Sequence, residues 1–86
     1  MVDRTPLSPS TNQHESESFS KLTPREWNVL HLASEGQTNV EIAMRLHISR
    51  HTVAQHIAKM LRRTGALNRT DLVTRAYKAG ALPSSL

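Results

Sequence analysis

Gln55 stands among small, polar and cationic neighbours that recur with the period of a helix: His51, Ala54, Ala58, Lys59 and Arg62. A glutamine amide donates and accepts side by side, so it can pair with N6 and N7 of adenine. Such a contact is worth about 1–3 kcal/mol of discrimination. Ala54 and Ala58 can lie against thymine methyls, or simply permit close approach, and His51 can reach a base, reach a phosphate or make no contact. Thr52, Lys59, Arg62, Arg63 and Arg69 suit phosphate oxygens, contacts that set register without reading sequence. Arg50 joins them by charge, and Ser49 and Asn68 can add neutral hydrogen bonds beside their capping roles.

These side chains act together only if one element holds them on one side. With Val53 at zero on a helical wheel, Met60, Thr64, Ile57 and Leu61 fall within roughly 80° of it. Ala54, Ala58, His51, Arg62, Gln55 and Lys59 cover the other side, so one face buries and the other forms a ridge that fits a major groove. Ser49 caps this helix, expected over about residues 50–64, and Gly65 stops it. The helix before it starts at a capping box, Thr38 with Glu41, and runs to Leu46. Only His47 and Ile48 are left to make the bend.

Two further helices flank this pair. Thr23-Pro24-Arg25-Glu26 opens the first with a cap, a proline at the first helical position and a glutamate three after the cap. It places Trp27, Leu30 and Ala33 on one face and ends at Gly36. The last opens at Asn68, with Asp71 three residues on, and ends at Gly80. Its apolar residues Ala79, Leu72, Ala76, Val73 and Tyr77 span roughly 160°, beyond the stripe of about 100° that core packing needs. The surplus lies on the Val73–Tyr77 edge, which reads either as a half-covered tyrosine or as a contact between two copies. No alternating apolar run of strand length occurs, so the expected class is all-α.

Eighty-six residues make one small domain at most. A chain of this size buries only about 60% of its unfolded surface, so association would help it. There is no cysteine, which excludes disulfides and thiolate chemistry. No apolar run approaches the roughly 18–20 residues of a membrane span and no signal-peptide core is visible, so the expected compartment is the cytoplasm. The net charge of +4 is uneven. Residues 1–20 carry Arg4 against Asp3, Glu15 and Glu17, net −2; residues 21–86 carry ten Lys or Arg against four acids, net +6. Ser49–Arg69 holds five cations and no acid, an electrostatic footprint for phosphate.

The expected division is a disordered leader over 1–20, a folded domain over 21–82 and a tail over 83–86. The leader is rich in Ser, Thr and Pro and nearly empty of large apolar groups, apart from Phe19, which can pack on the start of the first helix. His56 lies near the buried edge and reads as a semi-buried histidine. His47 and His51 are four apart, but the Ser49 cap interrupts the helix between them, so no metal site is expected.

Leu22-Thr23-Pro24-Arg25-Glu26, Val29-Leu30, Gly36, Asn39, Glu41-Ile42-Ala43, Leu46, Ile48-Ser49, Thr52-Val53, His56-Ile57, Leu61, Gly65 and Asn68-Arg69-Thr70-Asp71 resemble one known pattern. It is the helix-turn-helix domain of LuxR/NarL/FixJ-type transcription regulators, matched over about residues 20–82. The resemblance implies a four-helix bacterial DNA-binding domain whose third helix enters the major groove and whose fourth commonly forms a homodimer interface. It is similar to the stand-alone, GerE-like members, since 86 residues leave no room for the sensory module most members carry, and a stand-alone regulator is the expectation. A fragment of a longer regulator would look much the same. The sequence departs from the family at Ala54 and Ala58, where members often carry contact residues, lysine at the first, and at Thr64, where leucine is usual. The first two departures make Gln55 the leading candidate for base readout.

The expected function is therefore sequence-specific binding of double-stranded DNA by a homodimeric transcription regulator, with no cofactor. The alternative is a protein-interaction module acting on RNA polymerase or another regulator, supported by the missing lysines. A sigma-factor fragment shares the first three helices in outline but not the Asn68–Gly80 helix. No phosphate loop, nucleophile–base pair or ligand cluster suggests an enzyme.

Overall fold

A computed structural model of the protein describes residues 18–83, and these contain helices and turns but no strand. The helices are α1 (Pro24–Ser34), α2 (Asn39–Leu46), α3 (Arg50–Thr64) and α4 (Arg69–Lys78). The all-α class follows. Residues 18–20 are also helical, and Phe19 is 1% exposed within the core. Three residues assigned by composition to the leader thus belong to the folded body. A single phenyl ring buries enough area to hold a turn of otherwise polar backbone. The rest of the expected leader, residues 1–17, and residues 84–86 of the tail lie outside the described residues.

Each helix starts where local chemistry predicts. Thr23 Oγ1 accepts from the Glu26 amide at 3.1 Å, while Glu26 Oε1 accepts from the Thr23 amide at 2.9 Å. Thr38 and Glu41 repeat this reciprocal box at 3.2 and 2.8 Å. Ser49 Oγ accepts from the Thr52 amide at 3.0 Å, and Asn68 Oδ1 from the Asp71 amide at 2.8 Å. The Asp71 carboxylate turns instead to the Leu67 amide at 2.9 Å and to Arg75 Nε at 3.0 Å.

Between α2 and α3 the bend is made by His47 and Ile48, with His47 in the left-handed conformation at φ 59° and ψ 43°. Ile48 N–H reaches back to the Ala43 carbonyl at 3.1 Å. A β-carbon makes that conformation costly, so the bend holds because packing on both sides outweighs the strain.

α3 packs against all three other helices. Val53 and Met60 are fully buried and Ile57 nearly so, among Val29 and Leu30 of α1, Ile42 of α2 and Leu72 and Ala76 of α4. Phe19, Leu22 and Leu82 close the core from the chain's two ends. The face expected of α1 needs correction. Leu30 and Ala33 are buried, but Trp27 is only half-buried, and Val29 and Glu26 occupy the interior with them. The stripe from Glu26 through Val29 and Leu30 to Ala33 follows the i, i+3, i+4, i+7 rule, because α1 must face both α3 and α4.

Candidate nucleic-acid interface

α3 is rotated as the wheel requires. With Val53, Ile57 and Met60 inward, His51, Ala54, Gln55, Lys59 and Arg62 are exposed and Ala58 is half-buried. Thr52, Gln55, His56, Ala58, Lys59 and Arg62 line one shallow concavity along the flank of the helix. The amide that could read a base and the cations that could hold phosphate therefore share one surface. At the start of α3, Thr52 Oγ1 lies 2.9 Å from Ser49 Oγ, so both hydroxyls sit beside the first turn. A hydroxyl accepts and donates at once, which leaves each with capacity for a further partner. The side chains of Gln55, Lys59, Arg62, Arg50 and His51 hold no hydrogen bond or ion pair among the described residues.

Arg63 and Arg69 are placed differently. Arg63 Nη1 donates to Glu26 Oε1 at 3.1 Å and to the Lys21 carbonyl at 3.4 Å. Arg69 Nη1 donates to Asn39 Oδ1 at 2.6 Å, and its Nη2 donates to the Gln37 carbonyl. One arginine ties the end of α3 to the segment that opens α1. The other ties the start of α4 to the loop before α2. Charge groups both with the phosphate contacts, yet both spend hydrogen bonds inside the fold. A signal for Arg63 was available, since it falls about 80° from Val53 on the wheel whereas Arg62 falls about 180° away. None was available for Arg69, whose partners lie thirty residues or more earlier.

The electrostatics follow from these contacts. Burial at 3% exposure would by itself raise the Glu26 pKa. The Thr23 amide, the charge and hydrogen bond of Arg63, and the proximity of His56 outweigh it, holding the carboxyl below its ordinary value. Asp71 is also held low, by the Leu67 amide first and then by Arg75 and Lys78.

On α4, Leu72 and Ala76 face inward, Val73 is half-buried and Tyr77 is 42% exposed. The sequence reading did not single out Val40, Met44 or Leu67, which are 48, 72 and 83% exposed. Thr64, expected to lighten the core, is half-buried and uses its hydroxyl: it donates to the Met60 carbonyl at 2.7 Å and accepts from the Ala66 amide at 3.3 Å. Among the described residues no helix is long and apolar enough to cross a membrane, and no cluster of three metal-ligating side chains occurs.

Residues 20–76 match the family model described as bacterial regulatory proteins, luxR family. The chain belongs to that family. It is 49% identical over 59 residues to the response regulator RamR of Streptomyces coelicolor, covering 69% of this chain and 29% of RamR. It is 42% identical over 59 residues to the transcriptional activator protein BjaR1 of Bradyrhizobium diazoefficiens, covering 69% of this chain and 24% of that protein. Against the transcriptional activator protein AhyR of Aeromonas hydrophila it is 38% identical over 72 residues, covering 84% of this chain and 28% of AhyR. The chain thus matches less than a third of the length of each of these relatives.

Proposed function

We propose that this chain is a sequence-specific DNA-binding transcription regulator that inserts α3 into the major groove of double-stranded DNA. The observation that carries the reading is the outward ridge of α3, with Gln55 beside Lys59 and Arg62 and no acid from Ser49 to Arg69. In this reading Gln55 pairs with an adenine, Ala54 and Ala58 meet thymine methyls, and His51 reaches an adjacent base or phosphate. Arg50, Lys59 and Arg62 neutralise phosphates, and the Ser49 and Thr52 hydroxyls donate to one alongside the first turn of α3. Arg63 and Arg69 serve the phosphates less, because their guanidinium groups already hold partners inside the domain. Two copies associate through the Val73–Tyr77 edge of α4, and the protein acts in the bacterial cytoplasm, where the chromosome lies.

Selection of bound sites from a random DNA pool tests this directly. The expected result is a two-fold symmetric motif with binding that weakens steeply with salt, about 0.9 in log K per log salt for each phosphate neutralised. A pool that yields no motif at low salt would remove the reading.

A second reading draws on Val40 and Met44, exposed four residues apart on α2. An apolar edge of this kind fits a partner protein such as RNA polymerase, engaged beside DNA or in place of it. Met44→Glu that leaves DNA affinity intact but abolishes activated transcription in a purified system supports this contact.

A further inference from the structure

We infer that Glu26 of α1 is a positioning residue for DNA reading and acts through Arg63, an inference that rests on the reading of α3 proposed above. Glu26 Oε1 accepts from the Thr23 amide at 2.9 Å and from Arg63 Nη1 at 3.1 Å, and the same nitrogen reaches the Lys21 carbonyl at 3.4 Å. The carboxylate is 3% exposed, so water competes little for it. Two acceptors between Lys21 and Glu26 therefore converge on the last turn of α3, and the Thr23 amide holds the carboxylate in place. At its other end α3 is held by the Ser49 cap and the His47–Ile48 bend.

Apolar packing of Val53, Ile57 and Met60 sets which face of α3 is buried. That attraction has no direction of its own, so the last few degrees of rotation are where a directional bond adds most. A charge-assisted hydrogen bond to a buried carboxylate has a set length and angle. Rotation matters for readout because side-chain tips lie about 5–6 Å from a helix axis. A turn of about 15° therefore carries the Gln55 amide about 1.5 Å, enough to break a two-bond contact with a base edge. Gln55 lies eight residues before Arg63, about 12 Å along the axis. Glu26 thus sets the angle of a residue it never touches.

The test compares the full-length wild type with Glu26→Gln, Arg63→Gln, both together, and Arg63→Lys. Glutamine at 26 keeps the capping acceptor and loses only the charge. Affinities for the selected site and for a scrambled duplex are measured over a salt series, well below the unfolding temperature. Each single change is expected to lower the ratio of specific to scrambled affinity about fivefold, the low end of one base contact. The double variant falls no further than either single, the salt slope is unchanged, and Arg63→Lys recovers most of the ratio. If Arg63→Gln instead reduces the slope by about 0.9 while Glu26→Gln alters nothing, Arg63 is a phosphate contact and the inference is overturned. A loss of thermal stability with an unchanged ratio overturns it too, leaving a purely structural ion pair. A wild type with a ratio of one removes the DNA-reading proposal itself, an outcome distinct from a wild-type ratio that the variants leave intact.

Discussion

The cations from Arg50 to Arg69 divide between two regions of the molecule. Along the outer ridge of α3, Lys59 and Arg62 point to solvent with no partner among the described residues. In the seams between helices, Arg63 grips Glu26 and Lys21, and Arg69 grips Gln37 and Asn39. All four residues carry the same formal charge, and they are at most ten positions apart. The difference lies in what faces them. A cation on the ridge holds no partner in the fold, whereas a cation in a seam already donates to protein oxygens, in part at Arg63, which stays accessible to water. Charge density in a sequence therefore overstates the number of groups available to phosphate.

Substitution at the two regions should separate stability from recognition. The largest effect is expected at Glu26→Ala, which removes the glutamate half of the α1 capping box and leaves Arg63 without its carboxylate. A loss of about 3 kcal/mol is expected in urea unfolding. Arg69→Ala should cost about 2 kcal/mol, since two hydrogen bonds from a charged donor disappear from the α4 seam. On the ridge, Gln55→Ala should leave the unfolding midpoint alone and relax preference at one base pair by about 1–3 kcal/mol, read by repeating the site selection. Unchanged preference would remove Gln55 from the reading. Lys59→Ala should weaken all sequences alike, reduce the salt slope by about 0.9, and alter stability by less than about 0.5 kcal/mol. Equal stability losses at Lys59 and Arg69 would erase the distinction between ridge and seam.

Acid supplies a smaller probe of the seam. The folded pKa of Glu26 is depressed below its ordinary 4.5, so between the two values the unfolded chain binds more protons. The stabilisation is complete above about pH 4.5 and is lost as pH falls through the lower folded value. Glu26→Gln should flatten this part of the stability–pH curve in urea titrations. An effect of opposite sign is expected at the bend, where His47 is exposed and holds a left-handed conformation. His47→Gly should stabilise the domain by about 0.5–1 kcal/mol in the same assay, as relief of strain slightly exceeds the entropy cost of glycine.

What could be read before folding depended on how far apart the partners lie. Caps at Thr23, Thr38, Ser49 and Asn68 join residues three apart, so residue type and spacing suffice to place them. The orientation of α3 was equally legible, because a helix has one period and Val53, Ile57 and Met60 mark it. The α1 face was legible in part: Leu30 and Ala33 are core and Trp27 packs against its edge, while Glu26 and Val29 complete the buried stripe. Phe19 was legible as a packing residue, but the turn of helix it organises was not, since nothing local in Ser18–Ser20 favours one.

Sequence alone determined the four helices, their starting points and which side of α3 is apolar, because those properties arise from contacts within a turn or two of backbone. Tertiary structure decided which arginines are tied to partners in the fold and which are not. The pairing of Arg63 with Glu26 spans 37 positions and that of Arg69 with Asn39 spans 30. Such pairings exist only once packing has brought separate helices together, and no local rule of charge or spacing encodes them.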